Sequence, residues 1–187
     1  MKKALLLFVS LILVLMTAHE SFAYETVIVD FPENQGWHAV YYDVQGDEAI
    51  LQYVPAGQTY QSWTNSVVFH SYKGANQGNT SSALLDTTTA QMERQNPTAG
   101  YNYNKYTDVD ALATRCTQKT AYIPAQCEIY RVTTSHEALI SMHYINKNVQ
   151  EFKNNYDYWY KIIQGIRIYY SYYRTDRILG KATIFEL

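Results

Sequence analysis

The sequence lacks the common catalytic and cofactor-binding motifs. No serine lies in a G-x-S-x-G turn, no H-E-x-x-H pair is present, and GANQGN (74–79) has no lysine to make it a phosphate-binding loop. The chain has two cysteines, and their spacing is nothing like a C-x-x-C redox pair. We therefore expect no cofactor and no metal site, and the motifs assign no catalytic residues.

The sequence also lacks an excess of positive charge. It carries 15 Lys and Arg against 17 Asp and Glu, a formal net charge of −2. Proteins that bind nucleic acid or anionic membranes depend on a basic surface to reach the phosphates or lipid headgroups. We therefore expect no nucleic-acid partner.

A hydrophobic run stands at the N-terminus. Two lysines precede the apolar stretch 4–16, and SFA (21–23) supplies the small residues of a cleavage site, which predicts a secretory signal peptide over residues 1–23. The run is shorter than the about 20 residues of a transmembrane helix. Tyr24 stands where a lipoprotein would need cysteine. We expect residues 24–187 to form a single exported domain, periplasmic or extracellular, with no integral membrane segment.

Both cysteines, Cys116 and Cys127, lie in the part expected to be exported. In an oxidising compartment an isolated pair most simply forms a disulfide. Closing a loop of this length contributes roughly 3 kcal/mol in the chain-entropy description.

The first half of the exported part alternates between short apolar runs and turn residues. The runs 24–31, 37–44, 48–54 and 63–72 are rich in β-branched and aromatic residues. Their pattern predicts four strands, of which the first three form a meander closed by the turn residues 55–57.

The middle of the chain mixes helix and strand signals. Capping residues predict helices over 79–94 and 107–116, and the segment between them, 98–106, is predicted to be a surface loop. The segments 126–134 and 137–145 are predicted to form a hairpin, although the second is also compatible with a helix.

The C-terminal region decides the predicted fold class, because it can be interpreted as a helix or as a strand. It contains YYSYY (169–173), in a chain of 19 tyrosines. Apolar side chains at alternating spacings of three and four predict one long helix from about Lys147 to Arg174, although 166–174 also fits a strand. The predicted class is α+β: an antiparallel sheet of about six strands packed on a long C-terminal helix, with two shorter helices inserted mid-chain.

Surface tyrosines provide the leading functional hypothesis. Tyrosines beside Asn residues combine rigid aromatic area with adaptable polar groups, as in surfaces that recognise proteins. We expect a non-enzymatic, exported interaction protein whose partner contacts are drawn from Tyr101, Tyr103, Tyr106, Tyr169 and Tyr172.

Two alternatives stay open. A carbohydrate-binding module would stack a sugar on Trp37 or Trp63. A secreted hydrolase would use a Ser/His site or an acid/base pair assembled in space from glutamates. The glutamates available for such a pair are Glu25, Glu48, Glu128 and Glu137.

Two segments carry a resemblance to known proteins: PAGQTYQSWTNSVVFHSY (55–72) and YRTDRILGKATIFEL (173–187). In them the chain resembles small exported proteins of Gram-negative bacteria of the Legionella type, and its strand, helix and strand order is similar to the Mog1/PsbP class of α+β folds. The resemblance implies a binding or assembly role, such as that of a virulence-associated secreted protein. It points to four tail residues as structural or contact positions: Arg174, Asp176, Arg177 and Gly180.

Overall fold

The computed structural model describes residues 24–32, 35–121, 124–171 and 183–186. The predicted signal peptide, Tyr172 and the four tail residues lie outside them. The described residues form β1 (Tyr24–Val29), β2 (His38–Gln45), β3 (Glu48–Val54), β4 (Asn65–Lys73), β5 (Gly100–Tyr106), β6 (Asp110–Thr117), β7 (Gln126–Thr134), β8 (Ala138–Asn146), β9 (Arg167–Ser171) and β10 (Thr183–Glu186). They also form three α-helices: α1 (Ser81–Gln95), α2 (Val149–Asn154) and α3 (Tyr156–Gly165).

Seven strands make one antiparallel sheet in the order β2-β3-β4-β8-β7-β6-β5. The predicted pairing of β2 with β3 and the predicted β7–β8 hairpin are confirmed. The predicted place of β1 at the start of the meander is wrong, because β1 lies in another sheet. Gly46 opens the β2–β3 turn at φ 62°, a left-handed conformation that favours glycine in two-residue hairpin turns. Pairing of β4 with β8 joins the two halves of the chain.

A second sheet, in the order β10-β1-β9, packs against the first. Val27 and Val29 of β1 are fully buried and share a hydrophobic cluster with Phe69, Met142 and Ile163. The N-terminal strand is therefore part of the core.

Helices cover both faces of the large sheet. On one face, Leu85 of α1 packs with Tyr130 and Val132 of β7. On the other, Phe152 of α2 and Trp159 of α3 join the larger cluster. The central strands consequently have two buried faces.

The predicted long C-terminal helix is wrong. The chain forms α2 and α3, separated at Asn155, and then β9, which pairs with β1. Asparagine competes for backbone hydrogen bonds and Gly165 ends α3. Beyond it, the β-branched and tyrosine side chains of residues 166–171 suit a strand, and pairing with β1 supplies their backbone partners. The fold is therefore mostly β, and the α+β class with a long helix packed on the sheet is overturned.

The predicted helix over 107–116 and the predicted loop over 98–106 are also wrong, because β5 and β6 occupy these segments. Thr107 and Asp110, whose spacing favoured a helix start, close the turn between the two strands instead. The Thr107 hydroxyl accepts from the Asp110 amide at 3.1 Å and donates to the Asp110 carbonyl at 2.8 Å. Strand β6 is buried on both faces, so its apolar residues do not alternate and imitate helical spacing.

The predicted disulfide between Cys116 and Cys127 is confirmed. The two residues lie directly opposite each other in the β6–β7 ladder. Within the described part of the chain, no helix has both the length and the apolar character needed to cross a membrane.

Candidate functional site

Three of the predicted contact residues lie together on β5, at an edge of the large sheet. Tyr101, Tyr103 and Tyr106, hereafter the tyrosine patch, expose 45%, 38% and 51% of their surface. Their rings meet edge to face, with centroids 5.4 Å apart between the first two and 5.2 Å apart between the last two. In the described structure, β5 pairs with β6 alone, so its outer edge faces away from the sheet.

A β-bulge brings the third tyrosine to the same face. Tyr103 pairs with Ala113 and Tyr106 pairs with Ala111, with a register shift in between. Residues three apart on a regular strand point to opposite faces, but the extra residue of a bulge restores a common side. The bulge thus converts an irregular spacing into a continuous aromatic surface.

Helix α1 supplies a carboxylate to this surface. The hydroxyl of Tyr103 donates to Asp86 Oδ1 at 2.8 Å, and the hydroxyl of Tyr106 donates to Asp86 Oδ2. Thr80 caps the helix by accepting from the Ala83 amide at 3.1 Å. Asp86 follows the fully buried Leu85, which fixes its position beside β5.

Both phenols that contact Asp86 have a raised pKa. Burial, with the bond to Asp86 and the charge of Asp86, raises the pKa of Tyr103 to about 12. The bond to Asp86 is also the main cause that raises the pKa of Tyr106. The hydroxyls therefore remain hydrogen-bond donors to Asp86 at neutral pH.

The nearest cation of β5 is turned away from the patch. Lys105 pairs in register with Leu112, and its Nζ lies 2.6 Å from Asp110 Oδ2. Asp110 also forms a salt bridge with Arg131, whose Nε lies 2.9 Å from Asp110 Oδ1. The patch thus presents aromatic area beside the carboxylate of Asp86.

A buried polar network that the sequence did not predict lies on the α1 face of the sheet. Arg115 donates to Glu128 Oε1 from Nε at 2.8 Å and from Nη2 at 2.7 Å. His143 Nδ1 lies 3.0 Å from Glu128 Oε2, and His143 Nε2 lies 3.3 Å from the Ser141 hydroxyl. The sequence did contain one sign of this network: Ser141 and His143 are two residues apart, so they share a face if their segment is a strand.

The Ser141, His143 and Glu128 contacts follow the order of a hydrolytic triad, but the serine is fully buried. Burial disfavours the charged form of Glu128, yet the Arg115 charge and the contact with His143 prevail and lower the pKa of Glu128 to about 2. Burial lowers the pKa of His143. Neutral His143 then donates to Glu128 through Nδ1 and accepts from Ser141 through Nε2. With no exposed surface for a substrate at Ser141, the network is structural.

Comparison of the chain with protein-family models gives no match, and no curated protein matches it. The resemblance to small exported proteins of Gram-negative bacteria stays a prediction. Function is therefore inferred from the chain's own residues.

The two tryptophans proposed as sugar platforms already have partners. Trp37 stacks on Phe31 at 5.3 Å between ring centroids and meets Trp159 edge to face at 5.1 Å. Trp63 makes a cation–π contact with Lys147, whose Nζ lies 3.4 Å from the centroid of the indole ring. Both indoles are partly buried.

Tyr169 lies away from β5, on β9 of the second sheet. It lines a cavity of about 530 Å³ together with Arg131, His136 and Tyr170. The rings of His136 and Tyr170 are 4.1 Å apart between centroids. Tyr169 is 40% exposed and belongs to a different surface from the tyrosine patch.

Three of the four glutamates considered for acid/base chemistry line one cavity of about 250 Å³: Glu25, Glu48 and Glu137. Glu25 is buried and accepts at 2.8 Å from both the Ser135 hydroxyl and the Glu137 amide. Glu137 pairs with Lys73 at 3.5 Å. Across the described residues, no group of three or more His, Cys, Asp or Glu side chains is placed to hold a metal ion.

Proposed function

We propose that the protein is an exported binding protein that recognises a partner protein through the tyrosine patch. The observation that carries the proposal is the set of three exposed tyrosine rings in mutual contact on an edge strand. Tyrosine is enriched at protein interfaces because it buries a large area with few rotatable bonds.

Preorganisation favours this use of the patch. A side chain immobilised on binding costs about 0.5–1.5 kcal/mol. Tyr103 and Tyr106 are already held by Asp86 and by their ring contact, so a partner meets side chains with reduced freedom. The remaining exposed ring area is then available to be buried.

Export is supported by the disulfide. Structural disulfides form and persist in oxidising compartments and are rare in the cytosol. The bond between Cys116 and Cys127 lies in the ladder next to β5, since β6 carries Cys116 and pairs with β5. The predicted signal peptide agrees with such a location.

The test is a pull-down with the purified, oxidised chain as bait, against envelope fractions of the source cell and extracts of host cells. The variant Tyr101→Ala/Tyr103→Ala should lose the captured partner while keeping its folded circular dichroism spectrum. Tyr158→Ala is the matched control, because Tyr158 is an exposed tyrosine on α3. Equal capture by the wild type and the double variant would refute the assignment of the partner to this patch.

A secreted hydrolase is the second candidate, favoured by the cavity that Glu25, Glu48 and Glu137 share. Carboxylates on either side of a bound substrate can divide acid and base roles. A panel of chromogenic glycosides and esters tests this reading. The hydrolase candidate is supported if the wild type turns over a substrate, Glu137→Gln abolishes this activity, and the control Glu93→Gln, exposed on α1, retains it. If the wild type turns over no substrate, the hydrolase candidate is removed.

A further inference from the structure

Tyr103 and Tyr106 share more than a ring contact. Both hydroxyls donate to the same carboxylate, one to each oxygen of Asp86. The hydroxyl-bearing ends of the two rings therefore converge on one carboxylate, with ring centroids 5.2 Å apart. Both rings are also open to solvent, at 38% and 51% exposure.

We propose that Tyr103 and Tyr106 form a modification site for oxidative coupling to dityrosine by a one-electron oxidant, such as a peroxidase acting with hydrogen peroxide. Each phenol loses one electron and its hydroxyl proton, giving two phenoxyl radicals. The radicals join through a carbon–carbon bond between the ring positions next to the oxygens. The hydrogen on each joined carbon moves to the oxygen and restores the phenol. Hydrogen peroxide accepts the two electrons and two protons and leaves as two water molecules.

Asp86 gives the pair its chemical advantage. Removing an electron from a phenol is difficult unless the hydroxyl proton leaves with it, and the carboxylate is hydrogen-bonded to both protons. The protons pass to Asp86 and then to solvent. Tyr101 also touches Tyr103, with rings 5.4 Å apart, but the Asp86 contacts belong to Tyr103 and Tyr106.

The bond would staple the bulge of β5, because the two residues flank it in the β5–β6 register. This goes beyond the proposed docking function, in which the tyrosines act as unmodified contact residues. Tyr103→Phe separates the two roles, since it keeps the ring for a partner and removes the phenol needed for coupling.

The sequence makes the product easy to locate. Trypsin cleaves after Arg94, Lys105 and Arg115, so Tyr103 falls in peptide 95–105 and Tyr106 in peptide 106–115. The purified chain is treated with peroxidase and hydrogen peroxide, and the monomer is digested and analysed by mass spectrometry. We expect these peptides joined with the loss of two hydrogen atoms, or an uncleaved 95–115 peptide with the same loss, together with dityrosine fluorescence.

Variants decide which residues couple. Tyr103→Phe and Tyr106→Phe should each abolish the product, and Tyr101→Phe should retain it. Asp86→Asn should lose most of it, whereas Asp157→Asn, an exposed control on α3, should not. Loss of the product in Tyr101→Phe, an unchanged yield in Asp86→Asn, or coupling found between chains alone would overturn the proposal. Wild type oxidised in concentrated urea should lose the preference for this pair; an equal yield there would show that the folded geometry has no role.

Discussion

Replacing Glu128 by glutamine should strongly destabilise the protein. Arg115 is 4% exposed and directs two donors to Glu128 Oε1, at 2.7 and 2.8 Å. Glutamine has nearly the same volume, so the change leaves no cavity but leaves a buried guanidinium without its counter-charge. Removing one partner of a buried ion pair costs about 3–5 kcal/mol. For a chain of this length that corresponds to a melting temperature lower by roughly 6–20 °C.

Urea unfolding at pH 7 measures the effect as the difference in unfolding free energy from the wild type. Glu93→Gln on the exposed side of α1 is the control and should change stability by less than about 0.5 kcal/mol. The double variant Arg115→Met/Glu128→Leu should recover most of the loss, because an apolar pair leaves no unpaired charge. A loss below about 1 kcal/mol in Glu128→Gln would refute the claim that Arg115 is desolvated and depends on this carboxylate.

Three further predictions concern stability. Replacing Cys116 and Cys127 together by serine should lower the unfolding free energy by about 3 kcal/mol in urea titrations, and an unchanged midpoint would contradict the bridge's stabilising role. Acid should lower the stability through two groups. Burial lowers the pKa of His143, so the unfolding free energy falls as the pH drops below 6.5, the ordinary pKa of histidine. The Glu128 carboxylate then loses its stabilising contribution as the pH falls from 4.5 towards about 2. A flat stability profile from pH 7 to pH 4 would exclude the first step. Trp159→Ala should cost about 3–5 kcal/mol, because the indole is buried in the main core; a loss under about 1 kcal/mol would show that α3 is not part of that core.

Sequence patterns within a short stretch of chain predicted the strands and turns that depend on neighbouring residues alone. Strands β2 to β4 alternate and are separated by turn residues, so their existence was predictable, but the sheet that β1 joins was not. The disulfide followed from the presence of two cysteines in the part of the chain predicted to be exported. In contrast, the apolar spacing from Val149 to Tyr173 crosses Asn155 and Gly165, and the choice between helix and strand after Gly165 depended on pairing with β1, which is distant in sequence.

The candidate site was predictable in composition but not in geometry. Tyr101, Tyr103 and Tyr106 were chosen for their residue types, although their segment was assigned to a loop. Their common face depends on a bulge, and their acceptor, Asp86, comes from a helix earlier in the chain. Neither feature has a sequence signature of its own, because both arise when α1 packs beside β5 and β6.

Helix α1 connects the buried network to the tyrosine patch. Arg115 donates from Nη1 to Thr88 at 2.9 Å and to Thr89 at 3.3 Å, and Asp86 lies on the same helix. A run of threonines has modest helix propensity, so α1 depends on tertiary contacts to hold its position. The Glu128 carboxylate orients Arg115, Arg115 anchors the helix, and the helix holds Asp86 beside Tyr103 and Tyr106. A charge buried under the sheet face thereby helps to fix the geometry of the exposed tyrosine patch.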